Sequence, residues 1–198
     1  MTATVDFWFE FASTYSYLSA ARIQDICARQ GVSLRWRSFL LGPVFAAQGL
    51  TTSPFTMYPV KGAYMWQDMA RCCADQGLPF CKPTEFPRGS LLAARIAAAH
   101  ADAPWLGPFV RSVFHANFAL DLAIGDPAVI HALLRDIGQD PAPIVARATS
   151  DAGKADLRAN TDQALAAGLF GAPSFVVQKT LYWGNDRLDQ AIRTAQRA

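Results

Sequence analysis

The hydrophobic pattern of this 198-residue sequence predicts an α/β fold. Three observations support this class. Near the amino terminus an apolar run turns into a helical pattern, and a strictly alternating segment follows it. The middle of the chain carries helical periodicity punctuated by proline and glycine. The last part contains two short alternating runs before a final helical pattern, so two regions that contain strands enclose a helical one.

The first region reads as a strand, a helix and a second strand. Residues 5–9 form a buried-strand pattern, and Ser13 or Thr14 can cap the helix that follows. Gly31 is placed to end that helix, and 32–37 alternates strictly. Such units have a right-handed crossover and parallel strands. Because a helix N-terminus stabilises anions, we expect an anion site beside Ser13; a purely structural N-cap is the open alternative.

The middle of the chain is predicted to be all-helical. Gly, Pro, Thr and Ser are frequent in residues 41–59, which predicts a loop with one short helical turn. Apolar residues recur at helical spacing in every segment after it. The predicted helices are 61–76, 90–100, one that starts at residue 104 or 105, one capped by Asp126, one capped by Asp140, and 151–167.

The end of the chain changes character. Ser174–Val177 and Thr180–Trp183 have strand patterns around a short polar turn and predict a hairpin. Residues 186–196 predict a closing helix that is capped by Asn185 or Asp186. The complete order is therefore βαβ, a helical insertion, and then αββα.

This βαβ…αββα order with an insertion is the arrangement of the thioredoxin-like fold. We predict a thioredoxin-like domain at 1–48 and 155–198 and an all-helical insertion domain at 49–154. That fold has a cis-proline at the start of its third strand, and Pro173 lies at this place. The residue before it, Ala172, would pair through its backbone with a bound thiol peptide. An ordinary trans proline is the alternative, since only about 5–6% of X–Pro bonds are cis.

Composition excludes several classes of function. With 52% hydrophobic residues, 17% charged residues and a net charge of +2, the chain is globular and lacks the basic surface of a nucleic-acid-binding protein. We find no apolar run long enough to span a membrane and no signal-peptide pattern, so we expect a cytoplasmic protein. The scattered histidines do not predict a metal site. No C-x-x-C pair occurs, which predicts reduced and mostly buried thiols at Cys27, Cys72, Cys73 and Cys81.

Several short segments, spread over nearly the whole chain, match one known family in the same order. They are 7–18, 39–43, Lys61 with 64–65 and Asp68, 86–87, 168–175 and 182–189. With these segments the sequence resembles the 2-hydroxychromene-2-carboxylate isomerase family. That family is closely related to the kappa-class glutathione transferases. Both have the thioredoxin-like fold with a helical insertion, as in the bacterial disulfide oxidoreductases.

The resemblance implies glutathione as the cofactor and Ser13 as the catalytic residue. Oxidoreductases of this lineage have C-x-x-C where this chain has Ser13-Thr14-Tyr15-Ser16. Without cysteine there, a dithiol–disulfide cycle cannot run at this position. A serine hydroxyl does not ionise, but it can donate a hydrogen bond to the glutathione sulfur and favour the thiolate.

The resemblance also implies a set of glutathione-binding residues: Ser13, Lys61, Ala172, Pro173, Asn185, Asp186 and Arg187. Asp186 would meet the γ-glutamyl ammonium, and Arg187 would bind a carboxylate or hold the loop. A helix cap at Asp186 with Arg187 in a surface ion pair is the alternative. Lys61 would bind the remaining carboxylate or an acidic substrate, or it is simply a solvated lysine.

Some positions depart from the family pattern and leave the substrate open. Relatives usually have proline where this chain has Thr14, and asparagine near Thr52 and Gly89. The function implied is a glutathione-dependent isomerase that interconverts 2-hydroxychromene-2-carboxylate and trans-o-hydroxybenzylidenepyruvate. Its partners would be a small aromatic acid and a second copy of the chain in a homodimer, without nucleic acid or membrane. A kappa-like glutathione transferase and a non-catalytic thioredoxin-fold binding protein are the alternatives.

Overall fold

A four-stranded sheet forms the centre of the protein, whose computed structural model describes residues 4–197. Residues 1–3 and Ala198, which the predicted domain ranges include, lie outside the described residues. The spatial order of the strands is β2-β1-β3-β4, with β1 parallel to β2 and antiparallel to β3, and with β3 antiparallel to β4. The strands are β1 (Thr4–Phe9), β2 (Ser33–Ser38), β3 (Ser174–Val177) and β4 (Thr180–Trp183).

Helices cover the sheet and form the region between β2 and β3, so the predicted fold class is confirmed. The capping aspartates act as expected, since the carboxylates of Asp126 and Asp140 accept from the N–H groups of Ala128 and Ala142. The exact domain limits stay a prediction. The helices are α1 (Thr14–Gln30), α2 (Leu41–Ala47), α3 (Pro54–Met57), α4 (Pro59–Asp75), α5 (Leu91–Ala99), α6 (Leu106–Phe118), α7 (Pro127–Asp136), α8 (Pro141–Thr149), α9 (Asp151–Ala166) and α10 (Leu188–Gln196).

The loop predicted at residues 41–59 is wrong in part, because two short helices lie there. Both helices have proline in the first turn, where a backbone N–H has no partner within the helix and its loss costs little. Ser53 caps α3 by accepting from the Phe55 N–H at 3.3 Å. In this segment the prolines mark the starts of helices, although its content of Gly, Pro, Thr and Ser predicted a loop.

The cap predicted for the last helix is also wrong. Asn185 and Asp186 belong to a 3₁₀ turn, Asn185–Arg187, and α10 begins after Arg187 without a side-chain cap. The side-chain oxygen of Asn185 accepts from the Ser19 hydroxyl at 3.0 Å and from Arg22 at 3.3 Å. It therefore ties the turn to α1 and does not cap a helix.

Aromatic packing between the sheet and α6 makes the main core. The ring of Phe114, on α6, lies 6.0 Å from that of Phe9 and 5.1 Å from that of Phe11, between centroids. The same ring lies 6.4 Å from Tyr17 on α1 and 6.4 Å from Phe118 one turn along α6. The phenylalanines of α6 are therefore part of the core. They hold the turn that links β1 to α1 against the helical insertion.

Strand register brings the beginning of α1 next to the beginning of β3. Trp8 pairs with Ser174 in the antiparallel β1–β3 ladder, so the chain leaving β1 passes the chain entering β3. The Ala172–Pro173 bond is cis, as predicted, and the Phe86–Pro87 bond, for which no cis form was predicted, is also cis. The Pro173 carbonyl accepts from the Gly184 N–H at 2.9 Å, which holds this segment beside the end of β4.

The structure describes all four cysteine side chains. All four cysteines are unpaired; Cys27 and Cys73 are buried, Cys72 is half-buried and Cys81 is exposed. The prediction of unpaired thiols is confirmed, whereas the prediction of burial holds fully for two of them.

Within residues 4–197, no helix has both the length and the apolar character needed to cross a bilayer.

Phe114→Ala tests the core. The substitution leaves a cavity among four aromatic rings, so we expect the free energy of unfolding to fall by about 3–5 kcal/mol. Urea denaturation followed by circular dichroism measures the change. Leu120→Ala is the matched control, because Leu120 is 54% exposed just after the same helix and should change stability by less than about 0.5 kcal/mol. Equal losses in the two variants would contradict this description of the core.

Candidate functional site

A cavity of about 610 Å³ lies where β1 ends, between the sheet and the helical insertion. Its walls come from the β1–α1 turn, α2, residues 51–55, residues 86–91 and the loop before β3. The volume is typical of a site for a small molecule. Most of the wall is apolar, with hydroxyl groups and a few ionisable side chains, which suits a ligand that is partly aromatic and partly polar.

Ser13 lies on the wall at the N-terminus of α1. Its hydroxyl donates to the Ala172 carbonyl at 3.0 Å, and its oxygen accepts from the Ser16 hydroxyl at 3.0 Å and the Ser16 N–H at 3.4 Å. The N-cap geometry expected at Ser13 is therefore present. The Ser13 hydroxyl also contacts the residue before the cis-proline, Ala172, and an N-cap does not need this second contact.

The loop before β3 forms the part of the cavity rim that adjoins Ser13. The rings of Phe170 and Trp183 pack against each other at a tilt of 56°, with centroids 4.8 Å apart, and both are roughly half exposed. Gly171 lies beneath them, and a Cβ at this position would come within 2.6 Å of the Trp183 indole nitrogen. The close approach of the backbone and the indole therefore favours glycine at this position.

Two cations line the cavity, and they differ in their surroundings. Lys61 is exposed, with Nζ 6.0 Å from the Phe55 ring centroid, and it has no carboxylate partner among the described residues. Arg88 is buried, and its guanidinium pairs with Asp121 and donates to the Leu122 carbonyl at 2.9 Å. Lys61 is therefore the cation available to an anionic ligand, whereas Arg88 holds the loop around Pro87.

The predicted residues at the γ-glutamyl end lie outside the cavity wall. Asn185 is bound to α1, and Asp186 and Arg187 are exposed, with their carboxylate and guanidinium 3.6 Å apart. Trp183, two residues before Asn185, does line the cavity. The structure thus brings together Ser13, Lys61 and Ala172 around one space, with Pro173 directly behind. It leaves the three residues of the 3₁₀ turn at the surface beyond the rim.

The residues that depart from the family pattern lie in or against this space. Thr52 and Gly89 both line the cavity. Thr14 also lines it, and its hydroxyl donates to the sulfur of Met65 at 3.3 Å, which ties the start of α1 to α4. Tyr15 donates to Asp68 at 2.8 Å, and burial together with this bond raises the pKa of its phenol. Met65 and Asp68 both lie on α4, so these two hydrogen bonds hold the start of α1 against that helix.

Glu10 is a site residue that the sequence reasoning missed. It lines the cavity and is only 7% exposed, and its carboxyl group accepts from the Ser90 hydroxyl at 2.5 Å and from the Ala12 N–H at 3.0 Å. Burial raises its pKa from 4.5 to about 7, although both hydrogen bonds act in the opposite direction. The sequence does contain a signal for Glu10, because a glutamate between two phenylalanines at the end of a buried strand is an ionisable residue in apolar surroundings. Ser90, far along the chain, had no such signal.

A family model described as a DSBA-like thioredoxin domain matches residues 4–194. The chain belongs to the DsbA-like thioredoxin family. Its match to that model, together with the sheet and the helical insertion, confirms the predicted fold.

Relatives within this family bear out the resemblance found in the sequence. The chain is 29% identical over 189 residues to a 2-hydroxychromene-2-carboxylate isomerase of Sphingobium xenophagum, covering 96% of each chain. It is 27% identical over 201 residues to glutathione S-transferase kappa 2 of Caenorhabditis elegans, covering 94% of this chain and 88% of the relative. A solved 2-hydroxychromene-2-carboxylate isomerase superposes with a TM-score of 0.88 at 24% identity, over 98% of this chain and 95% of that one, and so shares the fold.

The buried Glu10 predicts a pH-dependent stability. Its pKa is higher in the folded chain, about 7, than its ordinary value of 4.5, so folding favours the protonated acid. This contribution is complete below about pH 4.5 and is lost as the pH rises to about 7. The free energy of unfolding should fall by about 3 kcal/mol over this interval.

Urea titrations at several pH values measure how the free energy of unfolding changes with pH. Glu10→Gln removes the titrating group and keeps the shape of the side chain, so the stability of this variant should fall less between pH 4.5 and 7. A slope of equal size in the variant would show that another group causes it.

Proposed function

We propose that this protein is a glutathione-dependent isomerase that interconverts 2-hydroxychromene-2-carboxylate and trans-o-hydroxybenzylidenepyruvate. One observation carries the proposal. A serine, Ser13, stands at a helix N-terminus, and its hydroxyl contacts the cis-proline loop on the wall of a ligand-sized cavity. A cysteine there would suit disulfide exchange, whereas a serine can only assist a thiol that comes from a ligand.

Ser13 would activate the thiol of glutathione by a change of hydrogen-bond partner. Its hydroxyl now donates to the Ala172 carbonyl, and rotation about one side-chain bond would direct it to a bound sulfur. A hydrogen bond to the thiolate and the positive end of the α1 dipole both lower the pKa of the thiol. Ala172, released from Ser13, could then pair with the cysteinyl backbone of glutathione as an added strand would.

The charged ends of glutathione would bind on either side of this point. Asp186 and Arg187 are exposed beyond the rim, and their opposite charges match the ammonium and carboxylate of the γ-glutamyl group. Asn185, bound to α1, would keep this turn in place. Lys61 is the cation on the cavity wall and would serve the remaining carboxylate or that of the substrate.

The apolar wall would hold the aromatic ring of the substrate while the thiolate reacts. The cyclic hemiketal acid opens to an unsaturated ketone, and the thiolate adds to the carbon conjugated with the carbonyl group. Rotation then occurs about a bond that has become single, and expulsion of the thiolate gives the trans isomer. The cavity would contribute by positioning the reactants and stabilising the nucleophile.

A kappa-like glutathione transferase is the second candidate. The match to glutathione S-transferase kappa 2 covers nearly the whole chain, which favours this alternative. The same activated thiolate would attack an electrophile, but the product would be a stable thioether, since no leaving step returns the thiol. The two functions therefore differ in whether glutathione is consumed.

One experiment separates these functions. Purified protein with glutathione should interconvert the two acids, followed by ultraviolet absorbance, without loss of free thiol. Ser13→Ala should lower kcat/KM by about 10–100-fold, because it removes a hydrogen bond to a charged group. Thioether formation from an electrophile such as chlorodinitrobenzene, without isomerisation, would favour the transferase. No activity in either assay, with Ser13→Ala identical to wild type, would favour a binding protein.

Lys61→Gln tests the acid-binding role. Loss of the positive charge should raise KM for the aromatic acid on the order of tenfold and change kcat little, because the lost contact serves binding more than chemistry. Lys82→Gln is the matched control. Lys82 also lies over an aromatic ring, 5.5 Å from that of Trp66, but outside the cavity wall. Equal changes in KM for the two variants would indicate a general electrostatic effect and contradict a site at Lys61.

A further inference from the structure

Glu10 is the one acidic side chain that the structure places on the cavity wall within residues 4–197. Its backbone carbonyl accepts from the Ser13 N–H at 2.9 Å, so the two residues belong to one tight turn. Its carboxyl group is held by the Ser90 hydroxyl at the start of α5 and by the Ala12 N–H. The acid therefore has a fixed position on the cavity wall, in the same turn as Ser13, and the steps described above do not use it.

Among residues 4–197, no ion pair neutralises this carboxyl group. The other ionisable groups of the cavity wall are Tyr15 from α1, Lys61 from α4 and Arg88 from the loop before α5. The Tyr15 phenol is engaged with Asp68, and the Arg88 guanidinium with Asp121. The carboxyl group is instead held by two neutral donors, so it can exist as an acid or as a carboxylate.

Burial brings the balance between these two forms close to neutrality, since it raises the pKa of Glu10 to about 7. A group that accepts and returns protons works best when its pKa lies near the working pH. A carboxylate fixed next to a thiolate would repel it, whereas the protonated acid does not. One proton shared between a bound thiol and Glu10 would therefore avoid two neighbouring negative charges.

We propose that the Glu10 carboxyl group is the acid–base catalyst of the addition and elimination, an assignment that rests on the proposed isomerase function. The carboxylate takes the thiol proton of glutathione, which leaves a thiolate and a neutral acid. As the carbon–sulfur bond forms, the electron pair of the carbon–carbon double bond moves towards the ketone, and the acid protonates the resulting enolate oxygen.

The reverse step uses the same proton. After rotation, the carboxylate removes the enol proton, the carbonyl group re-forms, and the carbon–sulfur bond breaks with its electron pair on sulfur. The acid then returns its proton to the sulfur when glutathione leaves. One proton moves between three positions, and the cycle needs no further acid, base or oxidant.

The pH profile of isomerisation tests this assignment, with kcat/KM measured on the full chain with glutathione. The active form carries one proton shared between thiol and acid, so the wild-type profile should be bell-shaped, with two apparent pKa values that belong to the pair. Glu10→Gln should lower kcat/KM about 100-fold or more and abolish the alkaline limb. Glu10 with a structural role alone would lower the whole curve and keep its shape, which would overturn the assignment.

Ser90→Ala gives a second, independent readout. Its hydroxyl lowers the pKa of Glu10, so its loss should move the alkaline limb to higher pH while activity persists. Ser112→Ala is the matched control, because its hydroxyl bonds within α6 to the Phe109 carbonyl at 2.8 Å, away from the cavity, and the profile should not move. An unmoved alkaline limb in Ser90→Ala would overturn the assignment even if Glu10→Gln did not fold.

The same measurements keep the two proposals apart. Wild-type protein that does not isomerise the acids would overturn the proposed function, and the assignment of Glu10 with it. Wild-type protein that isomerises them, together with an unchanged profile in Glu10→Gln, would overturn the role of Glu10 alone.

Discussion

The antiparallel pairing of β1 with β3 is the contact on which the candidate site depends. It sets Trp8 opposite Ser174, and this register brings Ser13 within hydrogen-bond distance of the Ala172 carbonyl. Because a slip of one residue would turn every side chain of β3 to the opposite face of the sheet, the packing of Phe175 against Phe7 fixes the register as well. The core and the site are therefore determined by the same ladder.

The helical insertion completes what the sheet begins. The sheet supplies Ser13 and Ala172, but α4 and the loop before α5 supply Lys61 and Ser90, which close the cavity from the other side. The two halves of the cavity wall therefore come from different parts of the chain. Thr52 and Gly89, where the family resemblance led us to expect asparagine, lie in the half that the insertion supplies.

The fold and half of the site could be predicted from the sequence because their signals are local. Strand alternation, capping residues and the Ala172-Pro173 pair each depend on neighbours in the chain, and Ser13 could be read from the position of a missing cysteine. Glu10 was missed because its character depends on burial and on Ser90, a partner 80 residues away. The helix Leu41–Ala47 was missed because Gly42 and Pro43 are local signals for a loop. Both residues are nevertheless tolerated in the first turn of a helix.

In the proposed reaction, serine at position 13 means that the oxidation-sensitive sulfur belongs to glutathione and not to the protein. In a protein with cysteine at this helix N-terminus, oxidation damages the polypeptide and must be reversed on the protein itself. With Ser13, the reactive sulfur of the proposed reaction belongs to a molecule that enters and leaves the cavity. An oxidised sulfur could then be exchanged for a fresh one by dissociation, and the rate of the reaction would follow the supply of reduced thiol in the cell.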